Sequence, residues 1–327
     1  MDELLGEEIH VIELHMMDLR KFFPLTAASN AAARTFLYPL HLVRTHLQTQ
    51  VGKQAYKGTW DAIKSIHGQQ GISGLYRGLP VHLCQVLPGM GYIYTYEYVR
   101  NVIRNHTNWS DGTKSLIGGG TASVVAQIFN VPIDIVSQHM MLIDGRKKSS
   151  KNVTVKTNAQ KSLQQINITE EMKQRRFGVF QGVVRHVYHN DGILGFYRGM
   201  SMSLLLFIPN SALFWYFYEH LKGKMVSVLP ENVPRMLINC LASPLAGMSA
   251  AAIMNPVDVV RVRMQTKNVA LRNTVETLIQ EEGFFWLFKG LTARFFHSAL
   301  GSTILILGYE AVKRGSLKSK YQDQVRW

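Results

Sequence analysis

Asn255-Pro256-Val257-Asp258-Val259-Val260-Arg261-Val262-Arg263 closes an apolar stretch, and two earlier apolar stretches close in a related way. They carry Tyr38-Pro39-Leu40-His41, followed by Arg44 and His46, and Val131-Pro132-Ile133-Asp134, followed by Ser137 and His139. Downstream of each comes an aromatic-basic-glycine triplet: Tyr76-Arg77-Gly78, Tyr197-Arg198-Gly199 and Phe288-Lys289-Gly290. Beyond each triplet a second apolar stretch ends on tyrosine, glutamate and then a base: Tyr96-Glu97 with Arg100, Tyr218-Glu219 with Lys222, Tyr309-Glu310 with Lys313. Any one of these strings is weak. Written three times in the same order, they define an internal repeat.

Two apolar stretches per repeat give six candidate spans, near 22–47, 79–103, 113–142, 200–222, 234–265 and 291–313. Each reaches the roughly 20 residues that a helix needs to cross a bilayer core. Backbone groups in lipid must be satisfied within their own segment, which selects helix. The fold class expected is therefore all-α membrane, with six transmembrane helices in three pseudo-symmetric repeats. Pro39, Pro132 and Pro256 predict kinks in the odd-numbered helices, because an interior proline removes a hydrogen bond and crowds the preceding turn. Small residues four apart, such as Gly119 and Ser123 or Ser243 and Gly247, predict close helix approach.

The chain divides into an acidic tail (1–19), three repeats (20–105, 106–224 and 225–315) and a C-terminal tail (316–327). Residues 144–176 form a polar insertion in the second repeat. Stretches 59–67 and 180–189 are expected to be amphipathic helices at the membrane surface. The start of the chain is acidic and lacks Lys or Arg up to Leu19, the reverse of a cleaved transit peptide, so an import signal is expected to be internal.

Composition alone does not separate soluble from membrane protein. Charged residues make up 18% of the 327, hydrophobic ones an ordinary 46%, and mean hydropathy is -0.01. Helices lining a wet cavity average out in this way. The net charge of +14 favours anionic surroundings. The bases recur beside glycine at the ends of apolar stretches, where headgroups lie. Anionic lipid, cardiolipin in particular, is therefore expected at Arg77-Gly78, Arg198-Gly199 and Lys289-Gly290, and nucleic acid is not. Cys84 and Cys240 lack metal or disulfide spacing, and His186 with His189 has no completing ligand. Neither metal nor cofactor is expected. Gly112-Thr113-Lys114-Ser115 lacks phosphate-loop spacing, and no nucleophile, base and orienter assemble from the motifs, so an enzyme is not expected.

The threefold Pro-x-acid signature with its aromatic-basic-glycine triplets resembles that of the mitochondrial carrier family, over nearly the whole chain. The resemblance implies a monomeric, multi-pass transporter of the mitochondrial inner membrane that works by alternating access. It implies an outer gate made by Tyr96, Glu97, Arg100, Tyr218, Glu219, Lys222, Tyr309, Glu310 and Lys313, complete in all three copies. It also implies a matrix gate of ion pairs between signature acids and bases, and here the chain departs from the pattern. His41 stands at the first acid and Ser137 at the matching base, so both members of one pair are absent. Asp134 with Arg261 and Asp258 with Arg44 remain, braced by Gln48 and Gln265, while Met141 takes the place of a third glutamine.

The substrate contacts implied by the family fall seven and eight residues after the triplet glycines, and five before the first proline. Here they are Gln85, Leu206 with Phe207, His297 with Ser298, and Arg34. Gln127 and Ala251 occupy the symmetry-related positions of Arg34, so its charge breaks the threefold pattern. A cation at mid-membrane costs roughly 2.5–3.5 kcal/mol on insertion scales and needs a task or a partner. One fixed cation beside polar groups and an apolar patch suits a small monocarboxylate. The full-length resemblance, including Val131-Pro132-Ile133-Asp134-Ile135-Val136-Ser137-Gln138-His139, implies a branched-chain amino acid: leucine, isoleucine or valine. The degraded matrix signature keeps open a non-transporting scaffold of the same fold, or a carrier for another small monocarboxylate or amino acid.

Overall fold

The computed structural model describes residues 17–50, 55–106, 111–143, 177–230, 233–267 and 269–318. The polar insertion 144–176 and most of both tails lie outside the described residues. Six helices dominate: α1 (Leu19–Thr49), α4 (Val86–His106), α5 (Asp111–Leu142), α7 (Met200–Val228), α8 (Arg235–Lys267) and α10 (Leu291–Ser316). Shorter helices are α2 (Thr59–Leu75), α3 (Leu79–Leu83), α6 (Gly178–Asp191) and α9 (Leu271–Glu282). The long helices pack in chain order as a ring, and α10 closes it against α1. The proline-bearing helices α1, α5 and α8 also touch one another across that ring. Their signature charges are therefore brought together at one end.

The repeat is written into the backbone. Glycines with positive φ occur as three pairs: Gly71 and Gly78, Gly192 and Gly199, Gly283 and Gly290. The first of each pair breaks or ends the short amphipathic helix, and the second starts the next helix from a left-handed conformation that side chains avoid. Each amphipathic helix seats aliphatic residues on its odd-numbered partner. Ala62 and Ile66 join Leu42 and Val43; Val183 and Val187 join Val131 and Ile135; Leu278 joins Val259 and Val260. Burying one such side chain is worth on the order of 1.5–3 kcal/mol, enough to fix these helices to the ring.

The expected span at 79–103 is not one helix. It divides into α3 and α4, with Cys84, Gln85 and Leu87 donating back three residues instead of four. The local cause is Pro88, which has no N–H to give and crowds the carbonyl of Cys84. The tightened turn falls on Gln85, one of the expected contact residues.

Small residues set the helix approaches. A Cβ on Gly247 would come within 2.8 Å of Ser298 Oγ on α10, and one on Gly308 within 2.6 Å of Ser29 Oγ on α1. By length and composition, three helical stretches are apolar enough to cross a membrane: Ile117–Leu142, Ile193–Val228 and Met236–Lys267. Helices α1, α4 and α10 miss that threshold, α1 and α10 because they carry Arg34, His41, Arg44, Arg294 and His297. Outside the cavity lining, the helices expose large apolar side chains, among them Phe36, Leu87 and Trp215. Patches this extensive need a nonaqueous neighbour.

Candidate functional site

Inside the ring lies a cavity of about 560 Å³, a size suited to a small ligand. Arg34, Gln85, Leu206, Phe207, His297 and Ser298 all line it, although they come from three helices and one turn. Its walls rise past Thr26 and Val312, and its floor is made by Arg44, Asp134 and Arg261.

Arg34 reaches in from the middle of α1. Its Nη1 donates to Gln85 Oε1 at 2.8 Å and lies 3.4 Å from His82 Nε2. Among the described residues no carboxylate lies within ion-pair distance of it. Gln85 turns its other end downward, where Nε2 donates to Asp134 Oδ1 at 2.6 Å. Asp134 Oδ2 in turn meets Arg261 Nη1 at 3.4 Å. One amide thus links the free cation of the cavity to an ion pair of the floor.

The second floor pair is tighter. Arg44 Nε donates to Asp258 Oδ2 at 2.8 Å, its Nη2 reaches the same oxygen, and Gln48 Nε2 adds a bond at 2.5 Å. Asp258 is fully buried. Gln265 behaves differently from Gln48. Its side chain accepts from Gln138 at 2.9 Å and donates to Ser203 Oγ at 3.3 Å, and makes no hydrogen bond to the side chain of Asp134 or Arg261. At the vacant third position Ser137 Oγ donates to Gly78 O at 3.4 Å, while His41 stacks on His82 with ring centroids 4.8 Å apart.

Two features were not foreseen from sequence. Arg34 is not the lone cation of the cavity, because Arg294 also lines it, donating to Met254 O at 2.9 Å and to Asn210 Oδ1 at 3.4 Å. Its Nη1 stands 3.6 Å from Asp258 Oδ2. Arg294 follows Gly290 by four residues, one helical turn below the positions inspected. Phe207 is not simply an apolar wall: the Arg261 guanidinium sits 5.6 Å from its ring centroid, a cation–π geometry.

The triplet bases make contacts within the protein. Arg77 donates to Ile143 O, Arg198 pairs with Asp191, and Lys289 binds Glu282 and Gln50 O. Burial, with Arg263 nearby, lowers the Lys289 amine to about 8 against the opposing pull of Glu282. Arg263 itself is 2% exposed and spans Glu281, Glu282, Gln48 O and Gln50 O. These contacts lock the floor end of repeat three onto repeat one.

At the opposite end only part of the tyrosine-glutamate-base motif lies among the described side chains. Glu219 is exposed and Lys222 sits 5.6 Å over the Tyr218 ring. The side chains of Glu97, Arg100, Tyr309 and Glu310 lie outside the described residues; Tyr96 stacks on Tyr92, and Lys313 is partly buried. Among the described residues no group of three or more His, Cys, Asp or Glu is placed to hold a metal ion.

A family model for mitochondrial carrier protein matches three consecutive segments, residues 22–107, 108–228 and 232–320. This chain belongs to the mitochondrial carrier family. It is a transporter of that family, with the all-α carrier fold in three repeats. Over 320 residues, 98% of each chain, this carrier is 36% identical to solute carrier family 25 member 44 of Homo sapiens and 35% identical to that of Mus musculus. It is also 28% identical over 326 residues to the electrogenic aspartate/glutamate antiporter SLC25A13, mitochondrial, of Homo sapiens, spanning 94% of this carrier and 43% of that protein.

Proposed function

We propose that this carrier moves a branched-chain amino acid (leucine, isoleucine or valine) across the mitochondrial inner membrane by alternating access. The single observation that carries the reading is Arg34, a cation facing a closed-floored cavity and held there by neutral groups alone. A substrate carboxylate supplies the partner it lacks, and Leu37, Leu206 and Ile304 offer an apolar wall to an aliphatic side chain. The printed name of one relative, the aspartate/glutamate antiporter, supports amino acids as a class.

The floor gives binding a consequence. A carboxylate that takes the Arg34 guanidinium removes the bond to Gln85, and Gln85 is what holds Asp134 Oδ1. The Asp134–Arg261 pair then rests on a 3.4 Å contact alone. Substrate thereby weakens the joined end, which provides the differential affinity between states that transport requires. With two ionic pairs joined at the matrix end, the conformation is the one closed on that side. Anionic lipid remains the partner at the matrix-side surface. The helices that start after Gly199 and Gly290 without a side-chain cap turn the positive ends of their dipoles towards it.

A ligand screen by thermal shift tests the reading directly. Leucine, isoleucine and valine should raise the melting temperature of the purified carrier, whereas nucleotides should not. Stabilisation by no small molecule would favour a scaffold that keeps the fold without transport.

A further inference from the structure

Between Arg34 and the floor lies a cluster of three histidines, one of which touches Arg34 itself. His41 of α1 stacks on His82 of α3 at 4.8 Å between ring centroids, and lies 6.1 Å from His297 of α10. All three line the cavity. His41 Nε2 and His82 Nδ1 are buried with no hydrogen-bond partner. Arg34 has only donors, so at the 3.4 Å contact His82 Nε2 accepts, and its ring proton sits on the unpartnered Nδ1. The lone pair of His82 is thus held by the same guanidinium that awaits the substrate.

The surroundings decide when that lone pair takes a proton. Arg34 and Arg44 of α1, Arg261 of α8 and Arg294 of α10 face the cluster region, against Asp134 of α5 and Asp258 of α8. Among the described side chains, α4 and α7 bring no charge to the cavity. Four guanidiniums against two carboxylates leave an excess of positive charge, so an empty site resists a further proton. A bound carboxylate reverses both conditions. It offsets one positive charge, and by drawing Arg34 away it frees His82 Nε2.

We propose that His82, within the His41–His82–His297 cluster, is a proton-binding site linked to carboxylate binding at Arg34, and that this carrier is a proton–substrate symporter. The inference rests on the carboxylate site proposed above. The proton comes from outer-side water, adds to the Nε2 lone pair and leaves into matrix water after the substrate departs. Nothing is oxidised or reduced. Because each ligand favours the other, the coupling is reciprocal.

The test uses the full-length carrier in liposomes of phosphatidylcholine with cardiolipin, with valinomycin and potassium clamping the membrane potential at zero. Radiolabelled leucine is offered at matched pH and with the outside one unit more acid. One-to-one symport predicts accumulation of about tenfold per pH unit, together with alkalinisation outside. Accumulation should vanish in His82→Gln, which keeps an acceptor for Arg34 and cannot be protonated. His41→Gln, read by the same ratio, should diminish it and serves if the first variant does not fold. Leucine uptake by the wild type with no response to the gradient overturns the proton site alone. Absence of uptake under either condition removes both this inference and the substrate reading.

Discussion

Gln85 Nε2 donates to Asp134 Oδ1 at 2.6 Å, and through that bond the middle of the cavity is tied to its floor. The other end of the same amide accepts from Arg34. A bridging group of this kind transmits the state of one partner to the other. Its removal should be felt at both.

Gln85→Leu leaves a buried carboxylate and a buried guanidinium each short of one bond. Losses of this type cost about 1–3 kcal/mol, so the variant should melt several degrees lower than wild type. Leucine should stabilise it less, since the polar contact that Gln85 brings to the cavity is gone. A variant with wild-type melting and undiminished leucine stabilisation contradicts the bridge.

The side chains of the Asp134–Arg261 pair are 8% and 5% exposed, respectively. Breaking one partner of a buried pair strands the other, at about 3–5 kcal/mol. Asp134→Asn should therefore be strongly destabilising, and Asp134→Asn with Arg261→Gln less so than the sum of the singles. Thermal melts of the four proteins in a double-mutant cycle measure the coupling; strict additivity would show that the two residues do not act as a pair.

The vacant third position offers a gain-of-stability experiment. His41→Asp together with Ser137→Lys installs the absent charges on α1 and α5, helices already in contact. The double variant should hold the matrix end shut more firmly, with a higher melting temperature and slower exchange than wild type. Each single change should lower stability, because it buries one charge without its partner. Faster exchange in the double variant would rule out a gate at this end.

Much of this was legible in the sequence, for a physical reason. Three copies of a motif constrain one another, so the six long helices and their order could be read from spacing, while the pairing of Arg44 with Asp258 was implied by the resemblance to the carrier family. Nonrepeating detail could not. The break at Cys84 depends on Pro88, which has no counterpart in α10, while Pro209 of α7 lies within an unbroken helix. Arg294 sits one turn below the positions where contacts were sought, and its proximity to Asp258 is a property of packing. The inward turn of Lys289 depends on Glu282 and on the backbone of Gln50, which is distant in sequence. The glycine pairs at 71 and 78, 192 and 199, and 283 and 290 were visible as letters. Only their shared positive φ shows that the first of each pair punctuates the repeat as much as the second.

Arg34 is the hinge of the functional account, and its removal is the sharpest trial. Wild-type and Arg34→Ala proteins, matched for melting temperature and amount inserted, are reconstituted into liposomes preloaded with unlabelled leucine and offered radiolabelled leucine or valine. Exchange by the wild type and its loss, by at least about tenfold for a charge-assisted bond worth 1.5–3 kcal/mol, is the expected result. Exchange by Arg34→Ala at the wild-type rate would contradict it.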